Sequence, residues 1–198
     1  MLRQFPRSLA LNAGPRYGAG RKPGGTLKKL IAIWGIFGIV AIVGRALWRL
    51  TPIAIEPIQA NQLGTMHWVI MIAWILINAY AEGYRGFHKR YSPRTVARAF
   101  YLAENPTPIR VILAPLFCMG LFGATRRVLI SSYIVIVLVI FLIIWIRMMD
   151  QPWRGIIDAG VVVGLGLGLL SIICYFVVGL KNGGVPFDPC VNSPNEQA

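Results

Sequence analysis

VLISSYIVIVLVIFLIIWI, residues 128–146, carries nineteen side chains and no charge, between Arg126-Arg127 on one side and Arg147 on the other. A helix of that length reaches about 28 Å, close to the roughly 30 Å hydrocarbon thickness of a bilayer. The stretch therefore reads as a membrane span, with the flanking arginines held at the headgroups. Further apolar blocks recur at Leu30–Val43, Leu63–Ala81 and Ala159–Leu180. Hydrophobic residues make up 56% of the 198-residue chain and charged residues only 14%, against roughly 25% in soluble domains, so the chain cannot cover itself with polar surface. The class that follows is all-α: a polytopic integral membrane protein.

Spans are placed at about Leu30–Leu47, Leu63–Tyr84, Val128–Ile146 and from Gln151-Pro152-Trp153 to about Leu180. Pro52, Glu56 and Pro57 read as a connection after the first, and Lys181-Asn182-Gly183-Gly184 as the stop of the last. Fifteen uncharged residues, 111–125, lie between Arg110 and Arg126 and are interrupted by Pro115; as one helix they reach only about 22 Å. The expectation is thus four full transmembrane helices plus one short hydrophobic segment, re-entrant or a fifth span. Ser92 is placed as the cap and Pro93 in the first turn of a further helix ended by Asn105-Pro106. Its Val96, Phe100 and Tyr101 oppose Arg94 and Arg98, the pattern of a short amphipathic surface helix.

The domain organisation is a basic disordered N-terminal tail over 1–29, a helical transmembrane domain over 30–182 and a polar C-terminal tail over 183–198. Seven lysines and arginines and no acid occupy the first 29 residues. With that tail in the cytoplasm, four crossings put 16 basic residues inside and 4 outside, whereas five put 15 inside and 5 outside. The count favours a cytoplasmic N-terminus without choosing between the topologies. Short loops suit a bacterial inner membrane; the arginine-rich, acid-free start makes the mitochondrial inner membrane the alternative.

The net charge of +13 sits between apolar blocks, which points to lipid and not to nucleic acid. Its densest part, Arg85, Lys89, Arg90, Arg94 and Arg98, is expected at anionic lipid headgroups or an acidic partner. Gly160, Gly164 and Gly168 recur every four residues along one helix face and allow close helix approach, within the chain or between copies. Intramembrane ionisable groups are functional candidates. Asn78 and Glu82 share one helix face and Arg154 and Asp158 another, and these four form the candidate polar site.

Catalytic machinery is not legible. The two histidines, His67 and His88, stand about 30 Å apart on a continuous helix, too far to clamp one haem. Cys118, Cys174 and Cys190 form no CxxC pair, and there is no HExxH, phosphate loop or Ser/His/Asp set. No cofactor or metal is expected. With seven acidic residues, acid–base chemistry lacks candidates. The sequence points to a non-enzymatic protein that forms oligomers or serves as an accessory subunit of a membrane complex, packing through the glycine seam. A small transporter or channel is the first alternative and a lipid-directed membrane enzyme the second. Expected partners are the bilayer, anionic headgroups, and a second copy or a membrane complex.

Overall fold

The computed structural model describes residues 25–191. Most of the expected basic tail, residues 1–24, therefore lies outside the described residues, as do residues 192–198 of the C-terminal tail. All the regular elements among the described residues are helical. The helices are α1 (Thr26–Gln59), α2 (Thr65–Asn78), a wide π-helical stretch (Ala79–Tyr91), α3 (Ser92–Glu104), α4 (Pro108–Ile112), α5 (Ala114–Met119), α6 (Arg126–Arg147) and α7 (Trp153–Asn182). Three of them, α1, α6 and α7, are long and apolar enough to cross a membrane.

α1 does not stop where the first apolar block stops. It continues through Pro52 and Pro57, so the connection expected there is helix. A proline inside a helix withholds one N–H and leaves a carbonyl four residues back without its donor. For Pro57 that carbonyl belongs to Ile53, and Gln151 Nε2 lies 3.5 Å from it while also donating to Glu56 Oε2 at 2.9 Å. The ring of Pro57 packs on Gly155 at the start of α7, so the proline is held by its tertiary partner.

α2, the π stretch and α3 form one uninterrupted helical run. Tyr91 and Ser92 both have right-handed helical backbone angles, so Ser92 cannot act as a cap, and its buried hydroxyl has no hydrogen-bond partner. The run lies parallel to α7: Trp74 Nε1 donates to the Ile157 carbonyl at 3.2 Å, His88 meets Ser171 at 3.0 Å, and the Phe100 and Phe176 rings are 6.0 Å apart. α1 runs antiparallel to both and closes a three-membered bundle.

α3 departs most from expectation. Instead of leaving one face open it is packed on nearly every side: ten of its thirteen residues are buried, and Arg94 and Glu104 are its exposed ones. Its apolar face meets Ile31, Ala32, Ile36 and Ile39 of α1 and Phe117 of α5, and its arginine face is roofed by the chain after α7. The short hydrophobic block folds as α4 and α5, whose Ala114, Pro115 and Cys118 sit on Gly35 and Gly38 of α1. Gly120, with φ +81°, ends α5 in the left-handed conformation. Gly183, with φ +74°, does the same for α7, and the Gly184 N–H returns to the Gly179 carbonyl at 2.8 Å.

α6 stands apart. Of its 22 residues only Ile146 is buried. Ser132 Oγ donates to the Met119 carbonyl and Tyr133 Oη to the Leu121 carbonyl, which hold its first turns to the α5 side.

Candidate functional site

The glycine face of α7 is filled by this chain's own helical run. A methyl group at Gly160 would stand 2.5 Å from Trp74 and 2.9 Å from the Asn78 amide nitrogen. At Gly164 it would stand 2.7 Å from a Glu82 carboxylate oxygen, and at Gly168 it would collide with the Phe87 ring. The seam thus forms within one chain. Gly164 is the eleventh residue after Trp153, about 17 Å along α7, so the Glu82 carboxylate stands well inside the bundle.

The π stretch explains which residues reach this seam. A π-helix turns once in roughly four to five residues, so inward positions recur at that spacing. Asn78, Glu82, Phe87 and Tyr91 fit it, with Gly83 against Leu167. An α-helix continued from Asn78 and Glu82 would instead turn Arg85 and Lys89 toward α7. The wide helix keeps those cations outside and puts an aromatic ring into the notch at Gly168. That 4-5-4 spacing was present in the sequence and is the signal that α-helical periodicity misses.

The candidate polar residues do not converge. Asn78 and Glu82 lie on the glycine face, where Asn78 Nδ2 donates to the Trp74 carbonyl at 2.9 Å. Asp158 is two residues from Gly160, about 200° around α7, and so faces away from that seam. It is only 4% exposed. Arg154, one turn earlier, has its Nε buried without a hydrogen-bond partner.

Of the five basic residues expected at headgroups, Arg85, Lys89, Arg90 and Arg94 are exposed, and Arg98 is not. At 3% exposure Arg98 points into the protein, where Nε donates to the Pro189 carbonyl at 2.7 Å and Nη2 to the Cys190 carbonyl at 3.4 Å. Its Nη1 fills the space that a side chain at Gly120 would need. Burial lowers the Arg98 pKa below the ordinary arginine value, and the two carbonyl dipoles offset part of the lost hydration. The headgroup assignment fails for this residue because residues 183–191 cover it. Within that segment Val185 and Pro189 are buried, and Cys190 O accepts from Thr125 N at 3.0 Å.

His88 rests between Tyr84 and Tyr175, with ring centroids 5.7 and 5.3 Å away, and bonds the buried Ser171 hydroxyl. No group of three metal-ligating side chains occurs among the described residues. The chain matches no protein family, curated protein or solved structure.

Proposed function

We propose that this chain is a non-catalytic integral membrane subunit that presents α6 to a partner within the bilayer. The observation that carries the proposal is the contrast between the two apolar elements. The glycine face of α7 is filled by the chain's own Trp74, Glu82 and Phe87, whereas α6 buries a single residue. A seam already filled is not free for a second copy, and a helix held off its own bundle has two faces left to pack. Photo-cross-linking in native membranes from a benzoylphenylalanine at Leu138, 60% exposed on α6, tests this against the same probe at Leu76, 65% exposed on α2. A single protein adduct of fixed mass is expected from Leu138 alone; lipid adducts at both positions would dispose of the proposal.

The accompanying topology has four crossings, with α2 and the π stretch as the fourth and α4–α5 dipping in from the side of both termini. It leaves 16 of the 20 lysines and arginines on the side of the N-terminus and 4 on the other, which supports a cytoplasmic N-terminus in a bacterial inner membrane.

A second reading, a small transporter, is favoured by Asp158, which is buried in an apolar helix with no hydrogen bond among the described residues. It requires ion flux in proteoliposomes that Asp158→Asn or Glu82→Gln abolishes.

A further inference from the structure

We propose that the outward face of the π stretch and the start of α3 is a binding surface for anionic phospholipid headgroups. Arg85, Lys89, Arg90 and Arg94 are all exposed there. Their spacing of four, one and four residues keeps them on a single face only while the helix turns once in roughly four to five residues. In an α-helix Arg85 and Lys89 would turn toward the glycine seam. The wide helix therefore gathers four cations that a normal helix would scatter.

Among the described residues none of the four has a carboxylate partner or a hydrogen bond from its side chain. Lys89 Nζ stands 4.8 Å over the Tyr84 ring, so its one close contact leaves the charge free to meet an anion. Four uncompensated cations on one face, with Glu82 turned inward, call for phosphate or carboxylate groups from outside the chain.

The neighbouring surface selects lipid over an acidic protein. Tyr80 and Tyr84 stack 6.0 Å apart and are 63% and 46% exposed. Ile72 and Leu76 of α2, 53% and 65% exposed, precede Tyr80 at four-residue steps and so extend this surface as an apolar line away from the cations. A ligand that meets the cations with phosphate and this line with hydrocarbon is a phospholipid; a soluble acidic peptide would leave the apolar part bare. The surface does not involve α6 and is independent of the subunit proposal.

The test is native mass spectrometry of the full chain released from detergent after equilibration with phosphatidylglycerol or with phosphatidylcholine of the same acyl chains. Phosphatidylglycerol adducts are expected at about tenfold lower lipid concentration than phosphatidylcholine adducts. Replacing Arg85, Lys89, Arg90 and Arg94 together by alanine should abolish that preference. Removing the same number of charges at Arg45, Arg49, Arg126 and Arg127 should leave it. Should the fourfold variant fail to fold, Lys89→Ala and Arg90→Ala singly should each weaken it about threefold, and Arg90→Lys should keep it. Equal loss in both fourfold variants, or no preference in the wild type, would overturn the proposal. So would glycerol phosphate binding as tightly as the lipid, or heptaglutamate binding more tightly, which would mark free phosphate or an acidic protein as the ligand.

Discussion

Arg98 and Pro189 are 91 residues apart in sequence and joined by a 2.7 Å hydrogen bond from the guanidinium Nε to a buried carbonyl. Through that bond and the Cys190 contact, α3 holds down the chain that follows α7. The same Cys190 carbonyl accepts from Thr125, the residue before α6, and Ala124 pairs with Val191. One buried cation therefore ties together α3, the start of α6 and the C-terminal segment. Arg98→Ala should cost roughly 2–4 kcal/mol, since hydrogen bonds from a charged group and two buried carbonyls are lost together. Arg98→Lys should recover less than half, because an ammonium lacks the planar fork that reaches both carbonyls. Unfolding midpoints in mixed micelles measure this, and limited proteolysis should cut within residues 183–191 in the variants only. An unchanged midpoint for Arg98→Ala would show that the segment is not held by this residue.

Gly166 and Gly168 are two residues apart and should respond oppositely to the same change. A methyl group at Gly168 meets the Phe87 ring, while nothing stands within 4 Å of one at Gly166. Gly168→Ala should lose about 1–3 kcal/mol by overpacking. Gly166→Ala should be neutral or gain up to about 1 kcal/mol from helix propensity. Equal unfolding midpoints would contradict the intrachain seam.

Cys190 reports on sidedness. Cys118 is buried and Cys174 faces outward from α7, whereas Cys190 is half-buried beyond the last helix. Burial, and after it the Asp188 carboxylate, push the Cys190 thiol up from its ordinary value. A raised pKa leaves less thiolate at any given pH, so its alkylation rate should lag a free thiol at neutral pH and catch up only in more alkaline solution. Asp188→Asn should shift the curve back toward the ordinary range. An impermeant maleimide applied to sealed vesicles should label Cys190 from the side that carries the N-terminus; labelling from the opposite side would exclude four crossings.

The class of the fold was legible because apolar length is a direct statement about the solvent: residues 128–146 admit little but a span, and α6 occupies Arg126–Arg147. The stop at Gly183 was legible for a similar reason, since a glycine after a lysine and an asparagine is local chemistry. Pro52 and Pro57 misled because helix continues through both; at Pro57 packing overrides local propensity, Gln151 approaching the orphaned Ile53 carbonyl and Gly155 receiving the ring. Arg98 misled because amphipathic spacing shows that a residue lies on the polar side of a helix but not what covers that side. The polar site was half legible: Asn78 and Glu82 do share a face, but Asp158 could be placed with them only by ignoring the 200° that separates it from Gly160.

Phe87 and Arg85 together decide the register of the π stretch. In the wide helix Phe87 fills the notch at Gly168 and Arg85 stands outside. Phe87→Ala should then cost roughly 2–4 kcal/mol through the cavity it leaves, and Arg85→Ala less than about 0.5 kcal/mol. An α-helical register exchanges the two: Arg85 would turn toward α7 and Phe87 toward lipid, so the arginine would become the costly position. The double variant adds an internal check. Alanine at Gly168 is costly because of the ring opposite it, so combined with Phe87→Ala its cost should fall by about 1–2 kcal/mol, a coupling of the size found between residues in contact. Strict additivity of the two changes would mean that the ring and the glycine do not touch, and the π geometry would have to be given up.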